Sequence, residues 1–469
     1  MKTTKIARHL LFFLLVSSGF GTSLLAQNGK VKEFTLKEAQ EYAVKNHYVV
    51  RNSKLDVDIA KKKIWETIAI GLPQANGSVK YQDYLDIPTT LMPDFISPAV
   101  YSVNEHNFGL TPTVPQGEAQ YFPVQFGIQH NLSYGATLTQ LIFNGQYIIG
   151  VQGSKAYLLY NEQNLEKSVI DVRQNVSLSY MGLAIQKENK RLLIKGKDLV
   201  SKTLYETKEQ YKNGFVEDIV VDQLQLNLTN LESTINAVSR QIEVADKLLK
   251  FQIGLDISDS IILTDSIGSL LKTIQLEPVV KTNFKLEDHI DYRLTETNEK
   301  LSFLNKRLAQ ANYLPSIAGF YSYSRSAMSN TFSNLFSDSP YPTSMVGITI
   351  DVPIFSSGMK HFKVQQAQLA LEKARNIKEA AGQALTLDAE VARTTFNTSL
   401  DNYFKENDNL KLAVNIYKKT DQKFKEGVSG STDITTAYNQ LLNTQTAYYQ
   451  SIFNLLNAKI KLDKALNQY

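Results

Sequence analysis

The chain has 469 residues, a formal net charge of +4, 43% hydrophobic residues and no cysteine. The absence of cysteine excludes disulfides, thiolate metal sites, thiol nucleophiles and an acylated N-terminal cysteine. Residues 1–26 have the form of a secretory signal peptide: Lys2, Lys5 and Arg8, an apolar run from Leu10 to Val16, then small residues up to Ala26. Its removal takes away three positive charges and no negative one, lowering +4 to +1, and so excludes the strong basic field of a nucleic-acid binder. The apolar run is too short to span a bilayer, and no later segment has 18 consecutive apolar residues. Any membrane-embedded part of the mature chain must therefore be made of strands.

The spacing predicts a first helix from Phe34 to about Ile70, with Thr35 and Glu38 placed as a capping box and Gly71-Leu72-Pro73 as its stop. Asn76 to Tyr84 is a short polar strand candidate. Six of the twelve prolines lie between Ile87 and Pro123, a density that predicts an irregular exposed loop. Val124 to Thr139 alternates strictly. Val124, Phe126, Ile128, Leu132, Tyr134, Ala136 and Leu138 share one face with His130, while glutamine, glycine, asparagine, serine and threonine occupy the other. About 16 alternating residues are long for half of a soluble sandwich and suit a tilted transmembrane strand.

A very long helix is predicted from Gln146 to Tyr211, about 100 Å of rod at 1.5 Å per residue. It ends in a turn at Asn213-Gly214. In the returning helix Leu224, Leu228, Leu231, Ile235, Val238, Ile242, Ala245 and Leu249 form an unbroken heptad seam. After a mixed segment over 254–285 the order starts again. Leu314-Pro315 echoes Leu72-Pro73, strands follow over 316–354, and Ile354-Phe355 echoes Ile142-Phe143. Phe143 to Gly214 is 71 residues and Phe355 to Gly427 is 72. Two copies of a helix, strand, strand, long helix, helix unit therefore fill 27–253 and 286–469, with strands over 74–141 and long helices over 146–251 in the first, and long helices over 359–466 in the second. Along the second long helix Ala367, Leu371, Ala374, Ile377, Ala381 and Ala384 place small residues for close packing. Pro73 to Phe143 is 70 residues against 40 from Pro315 to Phe355, so the proline-rich stretch is an insertion in the first copy.

The helix stops at Leu72-Pro73 and Leu314-Pro315, the junctions at Leu141-Ile142-Phe143-Asn144-Gly145 and Val352-Pro353-Ile354-Phe355, and the turns at Tyr211-Lys212-Asn213-Gly214 and Phe424-Lys425-Glu426-Gly427 occur in this order and duplicated. In this the chain resembles the TolC-like outer-membrane efflux proteins. The resemblance implies a mainly α fold with a β-barrel part: a homotrimer in which four strands per chain build one twelve-stranded barrel in outer-membrane lipid and the helices build a periplasmic tunnel. It implies a passive duct for efflux or type I secretion in a Gram-negative-type envelope, coupled through a periplasmic adaptor (membrane fusion) protein to an inner-membrane RND or ABC pump. The mixed segment 254–285 becomes equatorial. The strand count alone leaves two or three copies open.

The resemblance also directs attention to the turns. Asp433, six residues after Gly427, matches a family aspartate of the periplasmic constriction; Thr436 stands where some relatives have a second acid, and Ser429 where a family arginine takes part in a closing link. In the first copy Asp218 stands four after Gly214. Tyr211, Gly214, Phe424 and Gly427 are the helix-turn and adaptor-contact candidates. Both aspartates are equally suited to capping helix starts. Catalysis is poorly supported: the six histidines form no i, i+4 pair, so no metal or other cofactor is expected. The alternative is an exported coiled-coil structural or adhesive envelope protein without a pore. The alternating run Val124 to Thr139 argues against it.

Overall fold

The structure is a computed structural model and describes residues 31–94, 100, 103, 106–109, 121–272, 274, 276–279, 284–337 and 339–468. The expected signal over 1–26 lies outside the described residues, as do Pro98, Pro112 and Pro115 of the proline-rich stretch. In chain order the elements are β1 (Lys32–Phe34), α1 (Leu36–Asn46), α2 (Tyr48–Ala69), β2 (Gln74–Asp83), β3 (Thr89–Pro93), β4 (Tyr121–Gln125), β5 (His130–Asn144), α3 (Gly145–Lys212) and α4 (Asp218–Ile253). There follow β6 (Ile261–Leu263), α5 (Ile267–Lys272), α6 (Ile290–Ala311), β7 (Ser316–Ser329), β8 (Tyr341–Asp351), α7 (Met359–Lys425) and α8 (Ser431–Ala465). The chain is mainly helical. It divides into two units, one of Met1–Asn52, Lys167–Lys285 and Thr386–Tyr469, the other of Ser53–Glu166 and Leu286–Leu385.

The second unit holds an antiparallel sheet in the order β2-β5-β7-β8. Beneath the strands, Ile149 and Ala156 of α3 pack against Leu304 and Ala311 of α6. The long alternating run is interrupted where one strand was expected. The β4 ladder ends at Gln125 and β5 starts at His130, then continues five residues past Thr139 to Asn144. At the break Gln129 turns its groups outside the β5 ladder: its carbonyl accepts the Tyr84 N–H at 2.9 Å and its own N–H donates to Asn330 Oδ1 at 3.2 Å. The expected irregular loop contains a two-stranded ladder, β3 with β4, from Thr89↔Gln125 to Pro93↔Tyr121. Prolines are compatible with it because a two-stranded ribbon has only edges, where a missing N–H can face outward. Residues 352–354, expected in the last strand, lie beyond the end of β8.

In the first unit the single helix expected from Phe34 is divided. Phe34 belongs to β1, which pairs in parallel with β6 of the mixed segment. The helix then breaks at His47, whose extended backbone (φ −64°, ψ 133°) ends α1. Its ring Nδ1 accepts the Val49 N–H at 3.2 Å and so starts α2. Gly254 caps α4 with φ +83° and lies so close to Asn46 that a Cβ there would stand 2.9 Å from the Asn46 carbonyl carbon. Tyr180 of α3 is wholly buried, and its hydroxyl donates to the Phe34 carbonyl at 2.8 Å. Thr35 and Glu38 do form the capping box.

Candidate functional site

Two regions carry the features a duct needs. The first is the sheet. Directly paired residues lie on one face, so the register aligns Ala75, Leu138, Tyr321 and Val346 in one row, and Gln140, Gly319 and Ile348 in another. Next to them, on the opposite face, the register aligns Asn76, Thr137, Ser322 and Met345, and Ser78, Gly135, Ser324 and Thr343. One face is mostly aliphatic and aromatic, with Gln140 and Gly319 as exceptions, and the other is mostly hydroxyl, amide and glycine. A soluble sheet would bury the first and expose the second. Here the apolar face is open: Val346 is 80% exposed and Val79 78%. Strands β2 and β8, the two edges, are exposed along almost their whole length. Thr137 and Ser322 hydrogen-bond across strands at 3.1 Å on the polar face.

His130, on the apolar face by parity, opens β5 at the end remote from α3. It is buried there: its Nδ1 lies 3.1 Å from the Tyr81 hydroxyl and 3.3 Å from Asp83 Oδ1, and Phe332 packs edge-on against both rings. A polar ring on a greasy face is thus partnered at the strand end. Among the described residues no helix is long and apolar enough to cross a membrane, and no group of three or more histidines, aspartates or glutamates could hold a metal.

The second region is the pair of helix tips, both in the first unit. Gly214 has φ +78° and Gly427 φ +73°, left-handed conformations that only glycine adopts without strain. The Gly214 N–H donates to Tyr211 at 2.9 Å and the Gly427 N–H to Phe424 at 3.0 Å, closing each helix. Asp218 and Asp433 are both exposed and neither is the cap residue itself. Glu217 and Gly430 occupy those positions. Asp218 Oδ1 accepts the Ile219 N–H at 2.8 Å, and Asp433, at the third helical position, accepts the Gly430 N–H on Oδ2 at 3.1 Å. Thr436 is exposed one turn further along α8, and the Ser429 hydroxyl donates to the Thr420 carbonyl at 3.4 Å. Each tip also carries an apolar residue in the open: Phe215 is 81% exposed and Val428 73%.

Behind the tips four helices share one core, with Leu193 and Val200 of α3, Leu231 of α4, Tyr417 of α7 and Ile434, Tyr438 and Leu441 of α8. Phe424 packs against it, whereas Tyr211 stays exposed. Sequence inspection passed over Tyr438, although its place in the Ile434, Ala437, Tyr438, Leu441 stripe marks it as inward-facing. Its hydroxyl and that of Thr435 have no protein partner, and both residues line a cavity of about 20 Å³, the size of one water. Burial pushes the Tyr438 phenol up to about 12.

Residues 291–468 match the family model described as outer membrane efflux protein. This stretch is similar to an outer membrane efflux protein domain. The fold over nearly the whole chain agrees. The Campylobacter jejuni CmeC outer membrane channel is similar at TM-score 0.69 and 17% identity, over 92% of this chain and 85% of that one. The open state of the Neisseria gonorrhoeae MtrE outer membrane channel is similar at TM-score 0.69 and 16% identity, over 92% and 88%. The outer membrane protein VceC of Vibrio cholerae is similar at TM-score 0.67 and 14% identity, over 92% and 95%. No curated protein matches this chain in sequence.

Proposed function

We propose that this protein is a passive outer-membrane efflux duct. The observation that carries the reading is the two-faced sheet. Its exposed apolar face suits lipid, and its polar face suits a water-filled lumen. Four strands cannot close a barrel. Each edge, β2 and β8, would leave the outward N–H and C=O of about five residues unpaired in hydrocarbon, at several kcal/mol per group. That exceeds a typical folding stability of about 5 to 15 kcal/mol, so the edges must pair with other copies. Three copies give the twelve-stranded barrel of the family resemblance, and a homotrimer is our reading.

Solutes would reach the duct from an inner-membrane pump of the RND or ABC class through a periplasmic adaptor, which would dock on the turns around Tyr211, Gly214, Phe424 and Gly427. Asp433 would line the closed end with Asp218, Thr436 and Ser429 nearby, and opening would loosen the helix pairs at the two turn glycines. Three copies of Asp433 would form an acidic ring favouring cations. We ascribe no catalytic role to the chain. The test is conductance of the purified oligomer in planar bilayers: ion passage supports a duct, and an inserted oligomer that passes none overturns it.

A further inference from the structure

We propose that the two helix-to-sheet junctions form a cation–aromatic collar that binds the anionic phospholipid headgroups of the membrane's periplasmic leaflet. This rests on the sheet being membrane-spanning. At the first junction α2 ends at Ala69, and Ile70 and Leu72, both exposed, lead into β2. Trp65, the only tryptophan of the chain, is 68% exposed four residues before that end, about 6 Å along the helix axis. Lys61 and Lys62, at i−4 and i−3, share its face one turn further from the sheet. Along α2 the order is thus aliphatic, indole, ammonium. A leaflet presents the matching order of hydrocarbon, interface and phosphate, with a polar zone of roughly 5 to 8 Å on each side. Indole rings favour that zone.

The second junction, in the same unit, repeats the arrangement with different residues. Leu314 and Tyr313 are exposed between α6 and β7, and the Lys360 ammonium stands 5.8 Å over the Tyr313 ring while donating to the Asn312 carbonyl at 2.8 Å. Lys61 pairs with Asp58 at 3.2 Å, but both side chains are more than half exposed. Such an i, i+3 surface pair is weak enough for a lipid phosphate to replace. The occupant is lipid rather than another copy for two reasons. The collar stands where the chain enters β2 and β7 of the sheet read as membrane-spanning, and lysines are depleted from protein interface cores.

Trp65 reports on its own surroundings, because no other tryptophan emits. Full-length protein is reconstituted into vesicles of phosphatidylcholine and phosphatidylglycerol, and flotation with resistance to carbonate extraction establishes insertion. Failure at that step sinks the membrane reading itself. In inserted protein, lipids brominated near the glycerol should quench Trp65 more than lipids brominated near the chain terminus. Brominated phosphatidylglycerol should be preferred over brominated phosphatidylcholine by about 5-fold, the size one near-surface lysine supplies. The K61Q/K62Q/K360Q variant should insert equally and lose that preference. Quenching by acrylamide without quenching by brominated lipid, or by neither as in a contact between copies, would overturn the collar. Equal quenching by the two headgroups would overturn its anion binding.

Discussion

The Tyr438 hydroxyl lies against the α-carbon of Gly196, so closely that a Cβ placed on Gly196 would overlap it. Glycine is required here for proximity, since nothing about the mid-helix backbone of α3 demands it. Gly196→Ala should destabilise the packed helices by about 1–3 kcal/mol through overpacking. Tyr438→Phe removes a hydroxyl without a protein partner and should be neutral or slightly stabilising. The double variant should recover most of the loss, because the ring carbon behind the hydroxyl stands 3.3 Å from the added methyl. Thermal dissociation of the oligomer in detergent measures all three; an additive double variant would deny the contact.

Tyr180 ties β1 and β6 to the long helix. Its hydroxyl meets the Phe34 carbonyl at 2.8 Å and Asp265 Oδ2 at 3.2 Å, and the same carboxylate accepts the Leu36 N–H at 2.7 Å. Tyr180→Phe should cost about 1–3 kcal/mol by leaving buried acceptors short of a donor, and should speed proteolysis at the N-terminal strand. Burial pushes the Tyr180 phenol up to about 12. The folded state therefore favours the neutral phenol, a contribution complete below the unfolded value near 10 and lost as pH rises toward 12. The phenylalanine variant should unfold less steeply over that alkaline range, read by circular dichroism; an unchanged slope would assign the loss to the other buried tyrosines.

Asp433 combines a helix-start hydrogen bond with the charge that we propose lines the constriction, and two substitutions separate them. Asp433→Asn can still accept the Gly430 N–H, so stability should hold while cation preference falls. Asp433→Ala should lose both, with about 0.5–1 kcal/mol of stability. Reversal potentials under a salt gradient decide the matter: a value unmoved in Asp433→Asn removes this residue from the conducting path.

Charges placed on the two faces of β8 should behave oppositely. Ile348→Lys on the apolar face should cost about 2–4 kcal/mol if the site lies near mid-bilayer, lowering the yield of heat-modifiable oligomer in membranes. Thr349→Lys, one residue along on the polar face, should assemble normally and alter conductance. Equal yields would mean that neither face meets lipid.

These experiments rest on features that were legible in the chain to unequal degrees. The α4 seam was readable because a heptad survives any surroundings, and Leu224, Leu231 and Leu249 are indeed its buried residues. The turn glycines were readable for the same local reason. The division of the first helix was not: at the break Asn46 and His47 pack against Gly254, more than 200 residues away, which no local pattern records. The interruption between β4 and β5 depends on Asn330, equally distant in sequence. At the tips, both aspartates stand in the first helical turn, behind Glu217 and Gly430 in extended backbone, which composition does not announce. Tyr438 escaped because its partner, Gly196, lies on a different helix.

The most direct test of the duct is single-channel recording from the purified full-length oligomer in planar bilayers, with insertion followed independently by flotation. The account predicts discrete ion conductance across the bilayer that changes when Asp433 is replaced by Asn. An oligomer that demonstrably inserts yet stays silent under voltage, or a mature chain that remains a soluble monomer, would contradict it.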